Sequence, residues 1–450
     1  MAKDIRIKKG LDIPLKGQAR KETNYVSSSK VYSLIPDDFH HVIPKLEVKL
    51  GDKVKSGDVL FRSKADHRIV FPAPVSGAVT EIVRGEKRKI LQIKILPETT
   101  IDYRDHGVKD PTDLSSDQIK AYLLETGCWP FIRQRPYDII AFPDKSPKAI
   151  FISACSTAPL APNLDYIFRG KEKEMRTAIQ ALKKLTPGKV HLSIPGEAIN
   201  SPFHTLQGVD IHNVYGPHPS GNVGVQIAHI DPIDKGEVVW FVTPQDLVVI
   251  GEFFLTGKWN PERTVAVTGS QIKDPRYIKT RIGAQISDLI RENVKEGNNR
   301  YISGNVLIGT KVNPEGHLRY YSDQITVIPE GDDYDMFGWL LPRPEKFSIS
   351  RANMFSWLTP KKKYALNTNL NGEERAFVLT GWYEKYFPFD IYPMHLLKAI
   401  LTEDFERMEC LGIYEVAPED FALTEYIDIS KLEHQQIVRK GLDLMLKEIG

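Results

Sequence analysis

The segment that most constrains this chain is Glu172–Leu185 together with the two short apolar runs that bracket it. Met175, Ala178, Ile179, Leu182 and Leu185 fall on one helical face, and Pro187-Gly188 stops the helix. Ala149–Ala154 precedes it as an apolar strand, and Val190, Leu192 and Ile194 follow as a second. A strand–helix–strand order puts the two strands in parallel within one sheet, which makes this part of the chain α/β. The first turn of the unit reads Ser156-Thr157-Ala158-Pro159-Leu160-Ala161-Pro162, with no G-x-G-x-x-G. A Rossmann-like shape is therefore expected without the usual pyrophosphate cradle. Val209–Val214 and Val238–Val242 are further strands. Thr243-Pro244-Gln245-Asp246 then fits a helix start, running to about Leu255 and ended by Gly257.

Within that unit lies Gly216–Asp231, the most ligand-like stretch of the chain. Gly216, Gly221 and Gly224 give the backbone freedom to approach a ligand closely, and His218 and His229 can hold a metal, relay a proton or bond a carbonyl. The alternative is a tight turn entering a strand, with two histidines that merely pack. A second candidate is Cys128–Tyr137, where Arg133 and Arg135 stand among Trp129, Phe131 and Tyr137. Guanidinium groups bridge acceptors and stack on rings, so these arginines can clamp an anionic or planar ligand. The alternative there is a loop packed by its aromatics, with the arginines in solvent.

The totals exclude several classes. At 450 residues the chain is too long for one core, and three or four domains are expected. Net charge is +2 with no long basic run, and Lys361-Lys362-Lys363 reads as a solvated turn, so nucleic acid is not an expected partner. No apolar run approaches the roughly 18–20 residues that span a bilayer. The first ten residues alternate charge with isoleucine, unlike a secretion signal, so a cytoplasmic location is expected. Cys128, Cys155 and Cys410 lie far apart with no C-x-x-C, which leaves no disulfide framework and no four-thiolate cluster.

Toward the N-terminus, Ile5 and Ile7 mark a short strand, and Leu11–Tyr25 reads as irregular. Leu46–Ile95 carries paired Gly-Asp turns at Gly51-Asp52 and Gly57-Asp58, then Pro72-Ala73-Pro74-Val75-Ser76-Gly77-Ala78-Val79 and a closing strand at Ile90, Ile93 and Ile95. This resembles the small barrel of biotinyl and lipoyl carrier domains. The place of the carriers' modified lysine is held here by Asp66. Lys64 is near but lacks flanking methionines, so a structural barrel is expected rather than a carrier. A compact β-grasp module is expected over about 260–310, beginning at strand Thr264–Thr268. Met336–Pro342 and Ser348–Trp357 read as a linker with exposed aromatics. Met394, Leu397, Ile400, Ile437, Val438 and the residues to Ile449 point to a helical C-terminal domain. The expected division is 1–105, 106–258, 259–330 and 331–450.

Several strings in this order give a resemblance over about 420 residues. They include Ile7-Lys8-Lys9-Gly10-Leu11-Asp12-Ile13-Pro14, Gly216-Pro217-His218-Pro219-Ser220-Gly221, Leu307-Ile308-Gly309-Thr310-Lys311, Phe337-Gly338-Trp339 and Glu419-Asp420-Phe421-Ala422-Leu423. The chain resembles the NqrA subunits of the sodium-translocating NADH:quinone oxidoreductases (Nqr). In architecture it is also similar to the RnfC subunit of the Rnf complex and to the flavin-binding subunit of respiratory complex I. The resemblance implies a biotinyl/lipoyl-like barrel, a Rossmann-like α/β domain, a β-grasp module of SLBB type and a helical end. It implies a peripheral subunit on the cytoplasmic face of the bacterial inner membrane, docked chiefly on the membrane subunit NqrB. That peripheral protein would act at the quinone-reduction end of a complex that exports sodium.

In the flavin-binding relatives a glycine-rich loop cradles FMN and clustered cysteines hold iron–sulfur centres. Here the glycine loop's counterpart is Cys128–Tyr137, without a run of glycines, and the region of Cys410 and Glu419–Ile429 has one cysteine. The implied chain binds no cofactor itself, with NADH, flavins and iron–sulfur clusters held by other subunits, and does not oxidise NADH alone. Its implied quinone candidates are Trp129, Phe131, Arg133, Arg135, His218 and His229. The competing expectations are a pure assembly subunit, FMN or NAD binding as in those relatives, and a carrier modified at Lys64.

Overall fold

The computed structural model describes residues 3–25, 29–198, 200–332, 336–338, 340, 343–350, 358–378 and 381–449. The expected linker aromatics Trp339, Phe355 and Trp357 lie outside them.

The α/β unit forms a seven-stranded sheet in the order Lys3–Arg6, Asp210–Tyr215, Lys189–Pro195, Ala149–Ser153, Val239–Val242, Arg133–Arg135, Ile139–Ile140. The first five strands are parallel, and the last two run antiparallel to their neighbours. Alternation along the central strands divides the sheet's two faces. Ile150, Ile152, Trp240 and Val242 join the main core with helices Glu172–Lys184 and Pro244–Thr256. Ala149, Phe151, Val239 and Phe241 face helix Val223–Ile230. The helix at Pro244 begins as its sequence dictates: Thr243 caps it by accepting from the Asp246 N–H at 3.3 Å, and Gly257 ends it with φ +67°.

One expectation fails in this unit. The chain after Gly221 does not enter a strand but forms helix Val223–Ile230. Its β-branched run reads as strand by local preference; packing Val223 and Ile227 onto the sheet overrides that preference.

The barrel consists of two small facing sheets. One holds Tyr32–Leu34, Ile90–Pro97, Gly77–Arg84 and Lys53–Val54, the other Pro44–Leu46, Val59–Ser63 and Val70–Pro72. Its hairpin tip is tied down: Arg68 bonds Asp66 at 2.7 Å and Asp144 at 2.6 Å. The β-grasp sheet has six strands in the order Thr310–Val312, Asn299–Ser303, Gln324–Pro329, Glu262–Thr268, Arg276–Arg281, Arg20–Tyr25. The sheet thus runs past residue 310, and Arg20–Tyr25, expected to be irregular, is its edge strand. Its pairing partner lies about 250 residues away, beyond any local pattern. The first 34 residues therefore contribute one strand to each of three sheets.

Beyond Tyr392 come helices Pro393–Leu401, Phe405–Cys410, Ala422–Ile427 and His434–Ile449, which share a core through Met394, Leu397, Phe421, Val438 and Leu442. No helix among the described residues is long and apolar enough to cross a membrane.

Candidate functional site

The glycine-histidine stretch is filled by the protein's own chain. Gly216 has φ +134°, and a Cβ there would lie 2.2 Å from the Ile7 carbonyl oxygen. The turn is clasped by the N-terminal segment: Leu11 N–H donates to the His218 carbonyl at 2.8 Å, and His218 N–H donates to Asp12 at 2.9 Å. At Gly221 the space is taken by Thr157, whose hydroxyl accepts from the Gly221 N–H at 2.9 Å. At Gly224 a Cβ would stand 2.5 Å from Arg135 Nη1 and 2.6 Å from Asp420 Oδ2. All three glycines answer to close approach of protein to protein.

The two histidines do not converge. His218 is buried, with Nδ1 3.2 Å from the Thr157 hydroxyl, and burial pushes its imidazole down to about 4, so it is neutral at pH 7. His229 is exposed on the last turn of its helix, with Nδ1 2.8 Å from the Val225 carbonyl. Among the described residues no three His, Cys, Asp or Glu side chains are placed so that they could hold a metal ion.

The aromatic-basic stretch divides in the same way. Trp129 and Phe131 have no exposed surface. Trp129 donates its indole N–H to the Ala141 carbonyl at 2.7 Å, and Phe131 stacks on Tyr320 at 5.3 Å. Tyr320 in turn meets Phe39 at 4.7 Å, so these rings join barrel, α/β sheet and β-grasp module. Their place is the core. Aromatic residues lead in buried inter-module contacts because they bury the most area, so residue type alone could not separate a ligand wall from a module joint.

The arginines are different. Strand Arg133–Arg135 is short, and alternate residues share a face, so both guanidiniums leave the same side of the sheet. Arg133 bonds Asp138 at 2.5 Å and lies over the rings of Phe241 and Tyr321 at 4.8 and 4.9 Å. Arg135 is fully buried and bonds Asp420 and Glu419, each at 2.5 Å. The stacking and bridging expected of these arginines both occur, on the protein's own groups. Their carboxylate partners lie up to 285 residues away, which is why sequence reading missed them as a site; Glu419-Asp420 was visible only as a resemblance string.

Arg133, Asp138 and Glu419 border a cleft of about 770 Å³ where four parts of the chain meet. Arg133 and Asp138 come from the α/β sheet's edge, His40 from the barrel side, Ile308 from the β-grasp module, and Glu419 from the C-terminal region. Helix His434–Ile449 closes it with Gln435, Arg439, Leu444 and Lys447. Arg439 pairs with Asp443 through Nε at 2.9 Å and Nη2 at 2.8 Å, while its Nη1 is buried without a hydrogen-bond partner among the described residues. The cleft therefore offers donors beside a few apolar side chains.

Its electrostatics are uneven. Burial acts to raise Asp138, but Arg133, Arg135, Arg439 and His40 outweigh it and hold the carboxyl below its usual range. Burial raises Asp420, against the pull of Arg135. Burial raises Glu419 to about 7; Arg135 opposes this, while the charges of Asp420 and Asp138 add to it. A second cavity, of about 470 Å³, lies on the β-grasp side near Arg276 and Asp288 and holds none of the expected site residues.

A barrel, a mostly parallel α/β sheet and a β-grasp module, with a cleft at their junction, define a multidomain α/β protein. Family models match its parts in order. Residues 5–98 match the NqrA N-terminal barrel-sandwich hybrid domain, 114–259 the NqrA second alpha/beta domain, and 264–313 the NQRA C-terminal domain. The chain is 36% identical over 448 residues to the NqrA subunit of the Na(+)-translocating NADH-quinone reductase of Histophilus somni, covering 99% of this chain and 100% of that one. To the corresponding protein of Haemophilus influenzae it is 34% identical, again over 99% and 100%. The chain belongs to the NqrA family of Na(+)-translocating NADH-quinone reductase subunits, components of an oxidoreductase complex. Among solved structures, an air-oxidized NAD+-reducing [NiFe]-hydrogenase is similar with TM-score 0.38 and 9% identity over 78% of this chain and 67% of that one, too weak a likeness to carry an argument.

Proposed function

We propose that this chain acts at the quinone-reduction step of the sodium-translocating NADH:quinone reductase, holding the quinone head group in the cleft bordered by Arg133, Glu419 and Arg439. It would do so as a peripheral subunit on the cytoplasmic face, docked on the other Nqr subunits and chiefly on NqrB in the membrane. The observation that carries the reading is the position of Arg133, the one expected quinone candidate on the cleft wall. A quinone ring needs donors at its carbonyls and apolar surface at its faces. Arg133, Arg439 and Gln435 supply the donors, and Ile308, Pro418 and Leu444 the apolar surface. The volume suits a ring with part of its tail, since ligand sites run roughly 300–1,000 Å³. Trp129, Phe131 and Arg135 leave the set of direct contacts because they are buried in the core, and His218 and His229 because they lie apart from the cleft.

No flavin or cluster is assigned to this chain. The glycines that would cradle a phosphate are filled by Ile7, Thr157 and Arg135, and Cys128 and Cys155 are buried thiols whose ionisation burial suppresses. Catalysis would then require the whole complex. The test is titration of the purified chain with a short-chain quinone, followed by tryptophan fluorescence. Saturable binding that weakens about tenfold in Arg133→Ala is expected. Binding that never saturates, or that is unchanged in the variant, refutes the cleft.

A second reading, a cofactor-free assembly subunit, is favoured by the buried aromatic joint of Phe39, Phe131 and Tyr320. It predicts full complex activity in any cleft variant that still assembles.

A further inference from the structure

Beneath the cleft lies a cluster of ionisable side chains, of which Arg133, Asp138 and Glu419 reach the cleft itself. Arg133 and Arg135 bring two positive charges, while Asp138, Glu419 and Asp420 bring three negative ones. Beside them Arg439 and Asp443 form their own pair, and His40 stands on the barrel side. Three carboxylates crowded into a largely buried space disfavour ionisation of all three together, so one of them tends to keep a proton even with Arg439 acting on Asp138. Asp138 is held ionised by its bond to Arg133. Asp420 has no exposed side-chain surface; Oδ2 accepts from Arg135 and from the Ala417 N–H at 2.9 Å. Glu419 differs from both. Its Oε1 accepts from Arg135, its side chain is 28% exposed, and it opens on the cleft. Among the described residues Asp420 Oδ1 has no partner, so the surplus proton can reside on either carboxyl but leaves toward a ligand only by way of Glu419.

We propose that Glu419 is the proton donor of this cleft, passing its carboxyl proton to an oxygen of the bound quinone as electrons arrive. This rests on the quinone reading above. Reduction of a quinone to its quinol takes two electrons and two protons. The electrons come from NADH through the rest of the complex. At Glu419 the carboxyl O–H bond breaks, and a new O–H bond forms on the quinone oxygen. The carboxylate left behind is held by Arg135, takes a proton from water at the cleft mouth, and supplies the second in the same way. Burial, with the charges of Asp420 and Asp138 adding to it, keeps a share of Glu419 protonated near neutrality, and its bond to Arg135 holds it in place.

The test is Glu419→Gln in the assembled complex, since the amide oxygen can still accept from Arg135. Quinone should bind the variant chain within about twofold of the parent. NADH-driven quinol formation should fall at least tenfold, and the loss of rate as pH rises through 7 should disappear from the profile. Parent rate with the parent pH profile overturns the donor role. Infrared difference spectra of the unsubstituted chain give a second measurement that does not depend on the variant's folding. A protonated carboxyl band that titrates near pH 7 and shifts on adding a short-chain quinone supports the role, and its absence overturns it. Failure of the unsubstituted chain to bind quinone sinks the site reading and the donor with it. Saturable binding with full Glu419→Gln activity sinks the donor alone.

Discussion

Gly224→Ala offers a sharp test of why the glycine stretch exists. Inside a helix this change ordinarily stabilises by about 1 kcal/mol, because glycine gives up more backbone freedom on folding. Gly224 lies in helix Val223–Ile230 and carries no positive φ, so backbone strain is not at issue. The added methyl would instead sit 2.5 Å from Arg135 Nη1 and 2.6 and 2.7 Å from the two oxygens of Asp420. Ordinary contact needs about 3.5 Å, so the guanidinium or the carboxylate must retreat by roughly 1 Å. Both are fully buried and hold each other at 2.5 Å, with Arg135 also held by Glu419. Disrupting a buried pair of this kind costs about 3–5 kcal/mol. Setting the helix gain against that leaves a net loss of about 2–4 kcal/mol, read as a lower urea midpoint of the purified chain. In an Asp420→Ala background, where one side of the clash is gone, the same methyl should cost less than half as much. A Gly224→Ala protein more stable than its parent, or equal penalties in both backgrounds, would refute the close-approach account and return the glycine to a ligand.

Three further outcomes follow from the geometry. Arg263→Ala removes the buried cation that bonds Asp246 and faces Asp323, a carboxyl that burial raises to about 6 against the pull of Arg263. A loss of about 3–5 kcal/mol in urea unfolding is expected. Acid should also weaken the fold through buried histidines: burial holds His191, His218 and His317 down to about 4, with His212 adding to the effect at His191. The unfolded chain takes up protons below about 6.5 where the folded one does not, so stability falls as pH drops from 6.5 toward 4, by on the order of 2 kcal/mol per histidine at pH 5. His218→Asn should flatten that slope in urea midpoints measured from about pH 7.5 to 5, and an unchanged slope counts against it. Finally, Arg68→Ala should leave global stability within about 1 kcal/mol, because the pair is exposed. Amide exchange across 64–68 should nevertheless quicken; unaltered exchange would mean that Asp144 does not hold the hairpin.

What sequence reading recovered and what it missed follow the range of the forces involved. Helix Glu172–Lys184 and the capped helix at Pro244 were legible because their signals are local: one apolar face in the first, a hydroxyl cap and a closing glycine in the second. The barrel was legible from its turns, which set hairpins within a few residues. Strand Arg20–Tyr25 was not, since its residues alternate nothing apolar and its ladder is supplied by Arg276–Arg281. Helix Val223–Ile230 was missed because its local preference is for strand, and only contact with Ala149, Phe151, Val239 and Phe241 decides otherwise.

By itself, then, the sequence determined the kinds of module and their order. It singled out Arg133 and Arg135, two residues apart on one short strand. It also ruled out a four-thiolate cluster by having three separated cysteines. Tertiary structure alone decided which candidates share a site. Trp129 and Phe131 went to the core because inter-module joints take the largest apolar rings. Gly216, Gly221 and Gly224 proved to be places where Ile7, Thr157 and Arg135 come close. The chain brings Glu419 and Asp420 back, across some 285 residues, to the guanidinium of Arg135, whose burial demands compensating charge. No local pattern encodes that meeting, because charge pairing at such a separation is settled by the fold that brings the groups together.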